Sequence, residues 1–284
     1  MAILPSRLQR SVRPTRSAHT AQSHLASPWS WACAGVLCGA VLVVLVFAPA
    51  SWLVRAVNGL TQGSLVLSDP LGTVWSGSAQ MALTGGTGSR DAVRLPGRLQ
   101  WTLGLGWGRV NGGLAASCCT TAPVQLVLAP LNGLAFWSGW SLTVQAHQST
   151  WPAALLSGLG TPWNTVQAEG NLALSTPGFT VRAALDRMTL AGDIALEAQD
   201  MRSRLSTLKP LGTYRMNLSG GEQPTLALTT LKGDLRLSGQ GRWNAGRLRF
   251  EGEASAEPAH AQELSNLLNI MGRRDGVRSI ITLG

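Results

Sequence analysis

The sequence predicts a mainly β protein carried on one N-terminal transmembrane helix. Beyond the helix it predicts an extended, twisted antiparallel sheet with one or two packed helices. Three observations lead there. A charge-free apolar run covers Trp31–Leu53. Short stretches alternating apolar and polar residues recur through the rest of the chain, and period two marks a half-solvated strand. Finally, 33 glycines and a charged content of 13% in 284 residues suit many turns between strands better than helices.

Residues 1–28 contain Arg7, Arg10, Arg13 and Arg16 but no acid. So polar a stretch cannot bury a core and reads as a disordered basic tail. The helix is expected over residues 29–54, since about 20 apolar residues cross the hydrocarbon core. Trp31 and Trp52 lie near its ends, where aromatic belts form, and Phe47 lies within it. Gly35 and Gly39 make a GxxxG pair, which lets helices approach closely but also arises by chance in a glycine-rich chain. Ala48-Pro49-Ala50 has the A-x-A form of a signal-peptidase site, but the run exceeds the usual core of 7–15 residues. A retained anchor is therefore expected. Arg13 and Arg16 against Arg55 place the N-terminus in the cytoplasm and residues 55–284 outside, in a bacterium the periplasm. That region reads as one β-rich domain or two similar halves meeting near residues 150–165.

The strands follow in order. Gly63–Ser68, Gly72–Gly77 and Gln80–Thr84 open the series, then a Gly/Thr-rich loop over Gly85–Arg90. Arg98–Leu105 puts Leu99, Trp101 and Leu103 on one face. Pro123–Leu128 and Leu142–His147 read likewise, and Trp151–Leu159 reads as a short helix with Pro152 in its first turn. Phe179–Leu185, Leu190–Glu197, and the pairs Leu226/Leu228, Leu235/Leu237 and Leu248/Phe250 complete the alternation, with a turn at Asn244-Ala245-Gly246. The form G-x-L-x-L-S occurs at Gly63, Gly170 and Gly233, with a looser copy at Gly212, as in stacked similar units. Leu264, Leu267, Leu268 and Met271 mark one face of a last helix, with Pro258 near its start and Gly272 after its end. Arg278–Leu283 reads as a closing strand.

Catalytic signatures are absent. The histidines are His19, His24, His147 and His260, without HExxH spacing. Arg109 occupies the third glycine position of what would be GxGxxG at Gly104, and the only lysines are Lys209 and Lys232. Asp186, Asp193, Glu197 and Asp200 are interspersed with arginines, as on a solvated strand face. No metal or cofactor is called for. The tryptophans beyond the span suit core filling better than a sugar-stacking platform. The net charge of +9 owes four charges to the tail, and no basic face or module points to nucleic acid. Cys118 and Cys119 are adjacent, closer than the usual Cα separation of a disulfide. Reduced, half-buried thiols are expected, with an oxidised pair the alternative in an exported domain.

The sequence resembles the type II secretion system protein N family. The likeness is carried by Gly72-Thr73-Val74-Trp75-Ser76-Gly77, by Leu205–Leu208 leading to Leu211–Tyr214, and by a closing block. That block runs from Leu231 through Trp243 and Gly246–Ala254 to Leu264–Gly276. The resemblance implies a non-catalytic inner-membrane subunit that works through contacts with other secretion subunits, without cofactor or nucleic acid. Gly72, Trp75, Gly77, Trp243, Leu264, Leu267 and Leu268 are then expected to be structural. Arg273, Arg274 and Asp275 are the candidate partner contact, with a helix-ending cluster the other reading of them. The strands behind one span are also similar to AsmA-like membrane proteins, which implies, as the alternative function, a lipid-binding or lipid-transfer groove.

Overall fold

A computed structural model describes residues 28–283 apart from 87, 90, 133–135, 162, 185–186 and 245–246. The basic tail at 1–27 and part of the Asn244–Gly246 turn lie outside the described residues. Helix α1 (Pro28–Val46) is apolar and exposed along its described length, and it is long enough to cross a membrane. It belongs to a unit ending at Leu45, and a second compact unit runs from Val46.

The single helix expected through Leu53 is divided in two. Pro49 (φ −69°, ψ 145°) stops α1 and precedes a second helix, α2 (Ala50–Leu60). Proline lacks the N–H that would continue the ladder and biases the preceding Ala48 toward extended backbone. Helix α2 is amphipathic, with Ala50 and Val54 buried and Leu53 and Val57 beside them. Its apolar face packs on protein: Leu67, Ala79 and Trp101 complete that core.

The remainder is one open sheet. Its strands are β1 (Leu65–Gly72), β2 (Ser76–Thr84), β3 (Ala92–Arg94), β4 (Leu99–Gly106), β5 (Arg109–Ala116), β6 (Val124–Pro130) and β7 (Trp140–Pro152). They continue with β8 (Ala168–Ala184), β9 (Arg187–Ser203), β10 (Gly212–Gly221), β11 (Thr225–Gly233), β12 (Leu235–Asn244), β13 (Arg247–Ala256), β14 (Arg273–Asp275) and β15 (Arg278–Leu283). From β4 to β13 each strand pairs antiparallel with the next in sequence. β3 takes the far end of β2, and β14 lies outermost, beyond β15. The sheet continues across residues 150–165, where two halves were expected to meet, because β7 and β8 pair there from Trp140↔Ala183 to Pro152↔Asn171.

Several local expectations change. Gly72–Gly77 is not one strand: Gly72 ends β1, Thr73–Trp75 turn, and Ser76 and Gly77 open β2. Trp151 and Pro152 end β7, and Ala153–Leu159 is a 3-10 helix. The last helix is shorter than expected: a 3-10 turn at Pro258–His260 precedes α4 (Ser265–Met271). The third α-helix in chain order, α3 (Trp163–Val166), is a single turn. The repeat has a conformational basis, since Gly63, Gly170 and Gly233 all have positive φ (76°, 135° and 127°), where a side chain is disfavoured. Gly233 also faces Gly212 of β10 so closely that a Cβ would collide with the Gly212 Cα.

Three cores lie on the sheet. Besides the one under α2, Leu95, Ala116, Cys119 and Leu155 form a second. Leu211, Tyr214, Leu235, Ala254, Leu264, Leu267 and Leu268 form the third, beneath α4. Tyr214 donates to Leu235 O at 3.0 Å, and burial pushes its hydroxyl pKa upward.

Candidate interaction edges

An open sheet ends in two strands whose outer N–H and C=O groups have no ladder partner. Here the two are finished differently. At the first, Asn58 of α2 donates from Nδ2 to Leu67 O (3.0 Å), and its Oδ1 accepts from Leu67 N–H (2.8 Å). Thr61 Oγ1 lies 2.9 Å from Leu65 O. One amide side chain thus stands where a neighbouring strand would, and α2 closes the edge.

The β1–β2 turn fixes this corner. Thr73 N–H donates to Ser76 O (2.9 Å) and Ser76 N–H to Thr73 Oγ1 (3.1 Å). Val74 N–H donates to Ala48 O at 2.8 Å, and Pro49 bridges Thr73. Trp101, buried, donates from Nε1 to Val74 O at 3.0 Å. Gly72 has φ +88°, and a Cβ on Gly77 would sit 2.6 Å from the Trp101 ring. Gly72 and Gly77 are therefore required by backbone shape and close packing, while Trp75 is half-buried and accepts at its carbonyl from Leu103 N–H.

At the other edge, α4 holds β15 from one face. Leu264, Leu267 and Leu268 are essentially inaccessible to solvent, and Ser279 Oγ donates to Leu268 O at 2.7 Å. Gly272 passes so close to the Ile280 carbonyl that a Cβ would clash. Outside β15 lies only the three-residue β14, whose Arg273, Arg274 and Asp275 are all exposed. Arg278 adds an ion pair to Glu253 at 3.3 Å. The expected contact residues thus form the terminal strand of the sheet rather than a helix cap.

Between the edges, one face is apolar in continuous rows. Leu105, Val110, Leu128, Leu142, Val181 and Leu190 are successive cross-strand partners from β4 to β9. Directly paired residues share a face, so at about 4.8 Å per strand this row runs on the order of 24 Å. Leu174, Leu196, Met216 and Leu228 make another row from β8 to β11, all half-buried.

A family model described as "Type II secretion system (T2SS), protein N" matches residues 63–280. The chain belongs to that family. No curated protein and no solved structure matches it. Family membership makes this a component of protein secretion whose partners are other components of that system. The T2SS protein N match takes in the sheet from before β1 to Ile280, and so includes β14, while α1 and α2 lie before it.

Against this T2SS protein N frame, the remaining residues fall as follows. Trp31, Gly35 and Gly39 are exposed on α1, and nothing lies within 4 Å of a Cβ placed on either glycine. Phe47 is exposed between the helices, and Trp52 belongs to α2. Trp243 is half-buried in β12. Core filling, expected for the tryptophans, holds for Trp101 but not for Trp107, Trp137 or Trp163, which are exposed on the connections between strands: Trp107 in a turn, Trp137 in a 3-10 helix and Trp163 at the start of α3. Cys118 and Cys119 are bridged (Sγ–Sγ 2.04 Å), contrary to the expected reduced thiols. They border a cavity of about 590 Å³ on the polar side, shared with Gln148, Glu197 and Arg215. The Arg215 guanidinium, 2.9 Å from Glu197, holds that carboxyl below its ordinary pKa, helped by Gln199. Among the described residues no three His, Cys, Asp or Glu side chains gather as a metal site would need. Asn58, the residue that closes the first edge, escaped sequence reasoning because its partner is nine residues away across a turn.

Proposed function

We propose that this family member is a non-catalytic inner-membrane subunit, anchored by α1 with its sheet in the periplasm, and that it joins other secretion subunits through its C-terminal edge. One observation carries the reading: α2 closes the first edge, whereas the sheet ends at an exposed β14. A partner strand can add to such an edge through main-chain hydrogen bonds. Arg273, Arg274 and Asp275 give that addition its charge pattern. The test is in-cell crosslinking from positions 273–275 of the full-length protein, with mass spectrometry of what is captured. Secretion subunits among the products support the reading. Their absence, together with unchanged secretion in a deletion strain, rejects it.

The row Leu105–Val110–Leu128–Leu142–Val181–Leu190 favours a second reading, a cradle for acyl chains. An apolar row several strands long, half-buried except for exposed Leu105, suits hydrocarbon better than water. Lipid co-purifying with the full-length protein, and lost in Leu142→Lys, would support it. A lipid-free preparation would remove it.

A further inference from the structure

Among the described residues, the hairpin turns at one end of the sheet carry exposed apolar side chains from β1 as far as Met188 at the start of β9, and polar ones beyond. Registry places these turns together. Leu105↔Val110, Val110↔Leu128 and Leu128↔Leu142 align the β4–β5 and β6–β7 tips, and Leu103 N–H donates to Trp75 O at the β1–β2 turn. At these tips Trp107 is 101% exposed, Trp137 85% and Leu105 71%, with Leu71 and Leu131 also exposed. Farther along the same end, the β10–β11 tip carries Gly221, Glu222 and Gln223, and exposed Arg247 opens β13 at the next.

The chain enters the sheet at the apolar tips. α1 ends at Val46, and Ala48 O already accepts from Val74 N–H in the β1–β2 turn. Two residues span at most about 7 Å, so Val46, the last residue of α1, lies close to this turn. Tryptophan favours the membrane–water boundary, where its ring is apolar and its N–H stays hydrated. Exposed Arg109, beside Trp107, matches lipid phosphate in charge.

We propose that the β1–β2, β4–β5 and β6–β7 tips rest in the head-group layer of the membrane that α1 crosses, with Trp107 and Trp137 as anchors. The polar tips from β10 onward stand clear of it. The proposal rests on α1 being a membrane span, and the test separates the two. Full-length protein is reconstituted into phosphatidylcholine vesicles with and without brominated acyl chains, and the lipid-quenched tryptophan emission is measured. Trp29→Phe/Trp31→Phe reports the span, Trp107→Phe/Trp137→Phe the tips, and Trp163→Phe the opposite end of the sheet. Loss of quenched amplitude in both double variants, but not in Trp163→Phe, is the expected result. Loss in the span variant alone overturns the tip contact and leaves the anchor standing. No loss in either rejects both, and an equal loss in Trp163→Phe shows that the contact is not confined to these tips. The exchanged rings at the tips are exposed, so matching melting curves establish that each fold is intact.

Discussion

At β1 the backbone of Leu65 and Leu67 meets Thr61 and Asn58 of α2, while at β14 three exposed residues end the sheet. Both edges sit beside a dense core: Trp101 with Ala50 and Val54 at the first, Leu264, Leu267 and Leu268 at the second. The difference therefore lies not in how well each end is packed but in what the helix offers the edge. Both helices pack on the sheet face, but α2 also turns Asn58 and its cap residue Thr61 onto the β1 backbone, whereas β14 ends the sheet beyond α4. A helix can stabilise an edge strand without blocking it.

The contrast can be broken most forcefully at the cores. Trp101→Ala should cost about 3–5 kcal/mol and loosen α2 from the β1–β2 turn, read by denaturant unfolding and by faster amide exchange in β1. Leu268→Ala should cost about 2–5 kcal/mol, with exchange rising in β13 and β15 instead. If both variants loosen the same strands, the two edges are not independent. Asn58→Ala sharpens the comparison: it should cost about 1–3 kcal/mol by unpairing two backbone groups. It should also convert the closed edge into an open one, seen as concentration-dependent self-association by sedimentation. Arg273→Glu/Arg274→Glu should leave stability within about 0.5 kcal/mol, as exposed substitutions do, while partner crosslinks from this edge fall.

The smallest effect concerns pH. Glu197 is held below its ordinary value of 4.5 by Arg215 and Gln199. A depressed folded-state pKa contributes stability above that value, lost as pH falls through the folded pKa. The melting-temperature gap between wild type and Arg215→Gln should thus be small at neutral pH and close in acid below about pH 4.

Much of the sheet was legible in local pattern. β4 is readable from Leu99, Trp101 and Leu103, β8 from Phe179 and Val181, and the closing strand from Arg278–Leu283, because period two is a property of neighbours. β5 is not readable, since Gly112 and Gly113 interrupt its alternation. The helix break is visible only as Pro49 inside a run that is apolar on both sides; hydropathy does not distinguish Ala50–Leu53 packing on Trp101 from the same residues in lipid. Trp107 looks like a core residue among its apolar neighbours until its position in a two-residue turn is known. The Cys118–Cys119 bridge and the Asn58 closure depend on three-dimensional placement that spacing does not encode. Arg273–Asp275 reads in sequence either as a partner contact or as a helix-ending cluster, and its strand character comes from pairing with residues 278–280.

From β5 to β12 every strand pairs with the one before and the one after it in sequence. A chain that emerges in sequence order can therefore lay down each of these strands on an edge already present, without waiting for distant residues. Loop closure stays short at every step, which favours rapid, sequential folding. α2, made first, seals the starting edge. The sheet then grows in one direction as far as β13, and β15, the last strand in sequence, closes it by fitting between β13 and the exposed β14.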